Sequence, residues 1–333
     1  MLIGFFRKSF FFQYLLLIFL AGVLWAGAFV NPVLPDFDTN HYLMPGYHLV
    51  IMLIGDNALI SVVLAFLLVL IQAFFLNYIL IRNDLVPKNT LIPAMVYVIL
   101  MSHSRSLHQL HPVIISNLFL IIVLFNLFKV YTKEDAYTEI FNAGLLTAVG
   151  SFFYFPFLYF ILFIWMTFIV YSLYKWRDWL IPFTGLITPY IFLLTYFFWS
   201  DELFLVLDAY AGYYSTVAFI PLYLQFTLID WIIAGIIVLL FLWSFLRLIA
   251  NIQERIISIR KQYGTIFWLL VVCLLTYLGS GSYANSHLAM IAMPVSIYFS
   301  YGFSNIKRKF WIELFFGILT LLILFNSFNE IIT

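Results

Sequence analysis

The sequence predicts an all-α protein, a polytopic bundle of membrane helices. Hydrophobic residues make up 65% of the 333 residues, charged residues only 9%, and the mean hydropathy is +1.06. Water-soluble domains of this size do not have such a composition. Several apolar runs reach the roughly 20 residues that a helix needs to cross a bilayer. The runs are continuous rather than alternating, which favours helices over the strands of a barrel.

The first apolar run covers residues 10–30 and follows Arg7 and Lys8. Its basic start resembles a signal peptide, but the run is too long for a typical signal core. We therefore predict that it is the first membrane helix, with the N-terminus inside. Because Cys273 is the only cysteine, no disulfide can form within the chain.

Basic residues at the ends of the later runs give the direction of each helix, because cytoplasmic loops are enriched in Lys and Arg. Residues 49–57 are predicted to lie at the interface. The further predicted membrane segments are 58–81, 91–102, 113–128, 140–174, 180–199, 229–249, 266–278, 288–303 and 311–328.

Two of these segments have unusual lengths. Residues 91–102 span only about 18 Å as a helix, less than the hydrocarbon thickness, so the turn after them is expected to dip below the membrane surface. Residues 140–174 are too long for one crossing, and Lys133 and Lys175 at their ends should share a side. We expect the chain to fold back near Phe155 and Pro156, because proline interrupts a helix.

The result is a single integral-membrane domain, residues 1–333, with about eleven full or partial crossings. Its N-terminus is predicted inside and its C-terminus outside. Every one of the 16 Lys and Arg falls on the inner side except Arg105, whereas all six histidines fall outside. A wrong helix count in the middle of the chain would destroy both patterns.

The polar stretch 103–111, which we call the histidine turn, is the first candidate site. It contains His103, Arg105, His108 and His111. A guanidinium presents a planar set of donors suited to phosphate oxygens, and the histidines could hydrogen-bond a phosphate or an acceptor. Alternatively, Arg105 forms a structural ion pair with an outer carboxylate, and the histidines are ordinary interfacial residues.

The outer loops supply the other candidates. Asp36 and Asp38 could provide a general base or a metal-binding carboxylate, or simply form a solvated turn after Pro35. His41 lies in the same loop. His287 and Tyr283 flank a loop of small residues whose backbone could approach a ligand, or which is only a tight turn.

No cofactor is expected. His108 and His111 would share a helix face, so a divalent cation is one alternative, although no strong metal motif such as HExxH is present. No basic patch suggests nucleic acid as a partner.

Three stretches, FNAGLLTAVGSFFYFPFLYF, GLITPYIFLLTYFF and SHLAMIAMPVSIYFSY, together with the acidic first outer loop, resemble the membrane module of GT-C-type glycosyltransferases. The resemblance covers roughly residues 10–305 and leaves 311–328 as an extra C-terminal helix. It implies a polyprenyl-phosphate-linked sugar as donor, with Asp36 or Asp38 at the loop-acid position and Arg105 on the donor phosphate.

The large outer domain of many such enzymes is missing, as is a clean pair of loop acids. The whole chain is also similar to a multi-pass membrane family of Bacteroidota, which implies no particular function.

The sequence thus predicts a glycosyltransferase-like protein of the bacterial inner membrane that acts on a polyprenyl-phosphate lipid in cell-envelope glycan assembly. One alternative is a non-catalytic subunit or scaffold with membrane-protein partners. Another is a transporter, which the near absence of charge at mid-membrane positions disfavours.

Overall fold

The computed structural model describes residues 2–35, 44–133, 135–216, 228–278, 284–304 and 310–332, and within these ranges the regular structure is entirely helical. Three short 3-10 segments, Arg105–Leu107, Phe155–Phe160 and Ile252–Glu254, join α-helices. The α-helices are α1 Leu2–Phe5, α2 Phe11–Leu24, α3 Ala26–Val30, α4 Pro45–Ile54, α5 Ala58–Arg82, α6 Ile92–Met101, α7 Pro112–Thr132, α8 Tyr137–Ser151, α9 Ile161–Tyr171, α10 Trp176–Trp199, α11 Leu203–Thr216, α12 Leu228–Asn251, α13 Ile257–Leu278, α14 Ala284–Ser304 and α15 Phe310–Ile332.

Six helical segments within the described ranges are long and apolar enough to cross a membrane. They are Ala58–Arg82, Pro112–Thr132, Trp176–Trp199, Leu228–Glu254, Ile257–Tyr277 and Phe310–Phe328. Large apolar side chains such as Leu67, Phe192 and Leu246 are exposed on these helices, as expected where lipid replaces water. The protein is therefore a multi-pass helical membrane bundle.

Loops rich in Lys and Arg lie together at one end of the bundle, which we call the basic end after Arg7, Arg82, Lys133 and Lys261. Three hydrogen bonds join distant segments at this end: Leu91 N–H to the Phe6 carbonyl at 2.9 Å, Arg7 to the Phe303 carbonyl at 2.9 Å, and the Tyr263 hydroxyl to the Leu85 carbonyl at 3.0 Å. The Lys261 ammonium lies 5.5 Å from the centre of the Tyr131 ring. Positive charges from distant parts of the chain thus share one end.

The first and last membrane segments run in the same direction. Near the basic end, Glu313 lies 3.4 Å from the position a Cβ of Gly4 would take. At the other end, the Ser327 hydroxyl donates to the Leu24 carbonyl at 2.9 Å. Because residue numbers rise together along both segments, α15 packs parallel to α2 and α3.

The predicted interruption near Phe155 and Pro156 is confirmed. α8 ends at Ser151, and a 3-10 segment begins at Phe155. α10 then packs alongside α8: a Cβ on Gly185 would lie 2.2 Å from the Phe141 carbonyl oxygen, and the Ser151 and Tyr190 hydroxyls are 2.7 Å apart. The two helices are therefore parallel, which requires the chain between them to return across the bundle.

The first membrane segment differs from its prediction as one unbroken helix over residues 10–30. It divides at Trp25 into α2 and α3. The Trp25 side chain is fully buried, and its Nε1–H donates to the Ser102 hydroxyl at 3.0 Å. This tertiary contact accompanies the break, and Gly22 and Gly27 on either side of Trp25 weaken the helix locally.

Candidate functional site

The histidine turn lies below the end of the bundle because the helix before it is short. α6 has 10 residues, all of them buried, and spans about 15 Å. The Ser102 hydroxyl meets Trp25, beyond which α3 continues for 5 residues. At the other end of the turn, Leu110 N–H donates to the Ser61 hydroxyl in the first turn of α5, at 3.2 Å. The turn thus lies between α3 and α5, and its position below the membrane surface stays a prediction.

His103 is half-buried at the start of the histidine turn. Its Nδ1–H donates to the Leu100 carbonyl at 2.6 Å, because a carbonyl oxygen can only accept. Burial lowers the pKa of His103, while the Leu100 carbonyl and the nearby Asp230 carboxylate partly oppose that shift. The side chain of Asn326 connects His103 to Asp230. Its amide nitrogen lies 3.4 Å from the His103 carbonyl oxygen and 3.3 Å from Asp230 Oδ1.

Asp230 is a member of this region that the sequence analysis missed. It stands in the first turn of α12, where an apolar run predicted a plain membrane helix. A carboxylate there is within the electrostatic reach of His103. Its position at the start of the apolar run 229–249 was the only available signal.

His108 and His111 are almost completely buried, with exposed fractions of 2% and 3%. The His108 ring lies against Trp25, with 4.5 Å between ring centroids. Within the described residues, neither ring nitrogen of His111 has a hydrogen-bond partner. Burial lowers the pKa of His111 to about 3, so this imidazole is neutral at physiological pH and its polar atoms are available to a ligand or water.

His287 is fully buried and its ring is hydrogen-bonded on both sides. Its Nε2 lies 3.1 Å from the Cys273 carbonyl and 3.0 Å from the Thr276 hydroxyl. The carbonyl requires a proton on Nε2, so Nδ1 accepts from the Tyr154 hydroxyl at 2.9 Å. His287 therefore connects α13 and α14 to Tyr154, which comes just before the 3-10 segment Phe155–Phe160. A ligand that bound the imidazole would have to displace one of these hydrogen bonds.

A buried polar network in the middle of the bundle was not predicted. The Tyr97 hydroxyl donates to Gln72 Oε1 at 2.6 Å and accepts from the Asn117 amide at 2.7 Å. Asn117 also donates to the Ala289 carbonyl at 3.1 Å, and Gln72 to the Ile114 carbonyl at 2.8 Å. The network joins α5, α6, α7 and α14 by hydrogen bonds, which hold membrane helices together where no hydrophobic force acts between them.

A separate apolar groove, with a volume of about 700 Å³, lies beside α4. We call it the α4 groove, because α4 forms one wall, with the ends of α8 and α10 and part of α11 opposite. Its lining includes Met44, Leu49, Met52, Phe153, Phe197 and Val206, with the polar side chains of His48, Tyr196, Glu202 and Tyr210. Gly46 fixes the wall, because its N–H donates to the Phe152 carbonyl at 2.9 Å.

Several predicted site residues cannot be located in this geometry. Asp36, Asp38, His41 and Tyr283 lie outside the described residues, and for Arg105 the structure describes the backbone but not the side chain. Their roles stay predictions. Among the described residues, no group of three or more His, Cys, Asp or Glu side chains could hold a metal ion.

Comparisons with known proteins give no further assignment. No family model, curated protein or solved structure matches this chain.

Proposed function

We propose that this chain is a glycosyltransferase-like protein of the bacterial inner membrane that uses a polyprenyl-phosphate-linked sugar at the outer face. In this proposal about eleven full or partial helical crossings place the N-terminus in the cytoplasm and the C-terminus outside. The basic end then faces the cytoplasm, while the histidine turn and the α4 groove belong to the outer half of the bundle. Its cellular role would be in cell-envelope glycan or glycoconjugate assembly.

The observation that carries the proposal is that one helix contacts both the polar turn and the apolar groove. Gly46 and Leu49 of α4 line the groove, while the hydroxyl of the intervening Tyr47 donates to the Leu110 carbonyl in the turn at 2.7 Å. A ligand with an apolar chain and a polar head could use both surfaces at once. Polyprenyl phosphates have this form.

The proposed reaction is sugar transfer to an acceptor hydroxyl. The acceptor oxygen forms a bond to the anomeric carbon, the bond from that carbon to the phosphate oxygen breaks, and polyprenyl phosphate leaves. Asp36 or Asp38 would take the proton of the acceptor hydroxyl. Arg105 would stabilise the negative charge that develops on the leaving phosphate.

The first test is equilibrium binding of radiolabelled decaprenyl phosphate to the purified full-length protein in detergent. We expect saturable binding that Arg105→Ala weakens about 10- to 100-fold, the usual range for hydrogen bonds to a charged group. Unlabelled decaprenol, which lacks the phosphate, should compete poorly. Retention of wild-type melting temperature would show that Arg105→Ala is folded.

The α4 groove supplies a matched pair of variants. Leu49→Trp places a large side chain among the groove-lining residues and should weaken binding. Leu53→Trp lies on the same helix, is 87% exposed and is outside the groove lining, so it should bind normally. If Arg105→Ala and Leu49→Trp both bind like wild type, the lipid-phosphate proposal fails and the non-catalytic subunit becomes the better interpretation.

A further inference from the structure

A second cavity lies at the basic end, remote from the histidine turn, and its volume is about 140 Å³. It is enclosed by the last turn of α7, the start of α8, the end of α9 and the start of α10. The residues that carry its chemistry are Lys133, Tyr137, Tyr174, Lys175 and Asp178. We call it the lysine pocket.

The lysine pocket lies at the ends of two candidate membrane spans, the depth at which lipid head groups are expected. Lys133 immediately follows the candidate span Pro112–Thr132, and Lys175 immediately precedes the candidate span Trp176–Trp199. Tyr174 and Trp176 beside it are 78% and 69% exposed, as is typical of the aromatic belt at a membrane interface. This placement depends only on where the two spans end and not on which side of the membrane they face.

Asp178 is the unusual group in the pocket. It is only 5% exposed, and among the described residues its carboxylate has no hydrogen-bond or ion-pair partner. Its position in the first turn of α10 places it near the positive end of the helix dipole, which offsets part of the cost of burial. Its carboxylate therefore reaches solvent only through the pocket that it lines, where a cation could pair with it.

The two lysines offer positive charge in the same pocket. Lys133 donates a hydrogen bond to Glu139, and that hydrogen bond lowers the pKa of the glutamate, which keeps the glutamate ionised. Lys175 is exposed and makes no ion pair within the part of the chain that the structure describes. The pocket therefore combines an unpartnered carboxylate with an available ammonium group.

We propose that the lysine pocket binds the head group of a zwitterionic phospholipid with a primary ammonium, such as phosphatidylethanolamine. The lipid ammonium donates to Asp178, and the lipid phosphate accepts from Lys175 and from the remaining N–H groups of Lys133. The acyl chains lie along α9 and α10, where Ile169 and Leu180 are exposed on the helix surfaces. This site is independent of the proposed transferase activity.

The charge pattern predicts which lipids bind. Phosphatidylglycerol carries the phosphate but has no ammonium to pair with Asp178. Phosphatidylcholine has a positive charge, but its quaternary ammonium has no N–H to donate. Phosphatidylethanolamine satisfies both the carboxylate and the lysines, so the pocket should prefer it to the other two.

The test is native mass spectrometry of the full-length protein in detergent, titrated with each of the three lipids. We expect phosphatidylethanolamine to bind about tenfold more tightly than phosphatidylglycerol, the effect of one charge-assisted hydrogen bond. Asp178→Asn should abolish this preference. Asp201→Asn is the matched control, because it changes an exposed carboxylate just beyond the other end of α10 and should leave the preference unchanged.

Two results would overturn the proposal. One is that wild type shows no preference for phosphatidylethanolamine, or that Asp178→Asn leaves the preference unaltered. Asp178 would then only stabilise the N-terminus of α10. The other is displacement of bound phosphatidylethanolamine by free phosphoethanolamine at equal concentration, which would indicate a soluble ligand rather than a lipid. Melting temperatures of both variants, measured in parallel, would distinguish loss of binding from loss of folding.

Discussion

Replacing Gly144 by alanine should force α8 and α10 apart and destabilise the bundle. A Cβ at Gly144 would lie 2.1 Å from the Pro182 carbonyl oxygen, whereas real Cβ contacts essentially never fall below 3.0 Å. The obstructing atom belongs to the backbone of α10, so a side-chain rotation cannot relieve the clash. Overpacking of this kind costs about 1–3 kcal/mol, and we expect a lower melting temperature for Gly144→Ala.

The measurement is thermal unfolding of the purified protein in one detergent, with Gly22→Ala as the matched control. Gly22 is also within a helix, but a Cβ there would have no atom within 4 Å, so alanine should be neutral or stabilising by up to about 1 kcal/mol through helix propensity. Gly185→Ala affects the same crossing, and its effect should not add fully to that of Gly144→Ala. Equal melting temperatures for Gly144→Ala and Gly22→Ala would refute the proposed packing of α8 on α10.

Two further predictions concern pH and topology. The pKa of His111, about 3 in the fold against about 6.5 when unfolded, means that the unfolded chain binds more protons, so stability is lost as pH falls below about 6.5. From pH 7 to pH 5 wild type should lose about 2 kcal/mol more stability than His111→Gln, and parallel pH profiles of melting temperature would contradict this. Separately, cysteines at Ser106 and Ser282 should react with an impermeant thiol reagent from outside intact cells, while one at Asn305 should not. The native Cys273 is buried and should stay unlabelled; labelling at Asn305 would overturn the predicted helix count.

Local features of the sequence predicted much of the helical framework. The short segment predicted at residues 91–102 corresponds to α6, Ile92–Met101. Its short length was predictable because the rise per residue of a helix is constant. The interruption before Phe155 and Pro156 followed from the backbone chemistry of proline. The gathering of basic loops at one end followed from charge at the ends of apolar runs.

Features that depend on packing between distant segments could not be predicted. The division of the first segment at Trp25 accompanies a contact with Ser102, and the nearby Gly22 and Gly27 do not by themselves tell where the helix will break. Gln72 and Asn117 stand within apolar runs, where the sequence does not tell which polar group each will meet. Asp230 was missed for the same reason, since its neighbour His103 is far away in the chain.

The candidate site was predicted only in part. The sequence drew attention to the histidine turn, and the structure encloses that turn between α3 and α5. The burial of His108 and His111 was not predicted, because the depth of a turn depends on how far neighbouring helices extend past it. The α4 groove also has no sequence signal, since its wall combines residues from four helices.

The most direct test of the central claim is an electron cryo-microscopy map of the full chain with decaprenyl phosphate. The proposal predicts density for the phosphate beside Arg105 in the histidine turn, with the polyprenyl chain continuing into the α4 groove past Leu49. The contrary result is a map in which the Arg105 side chain points into bulk solvent and the α4 groove holds no lipid density. In that case the turn is not a lipid-phosphate site, and the role of a non-catalytic membrane subunit is favoured.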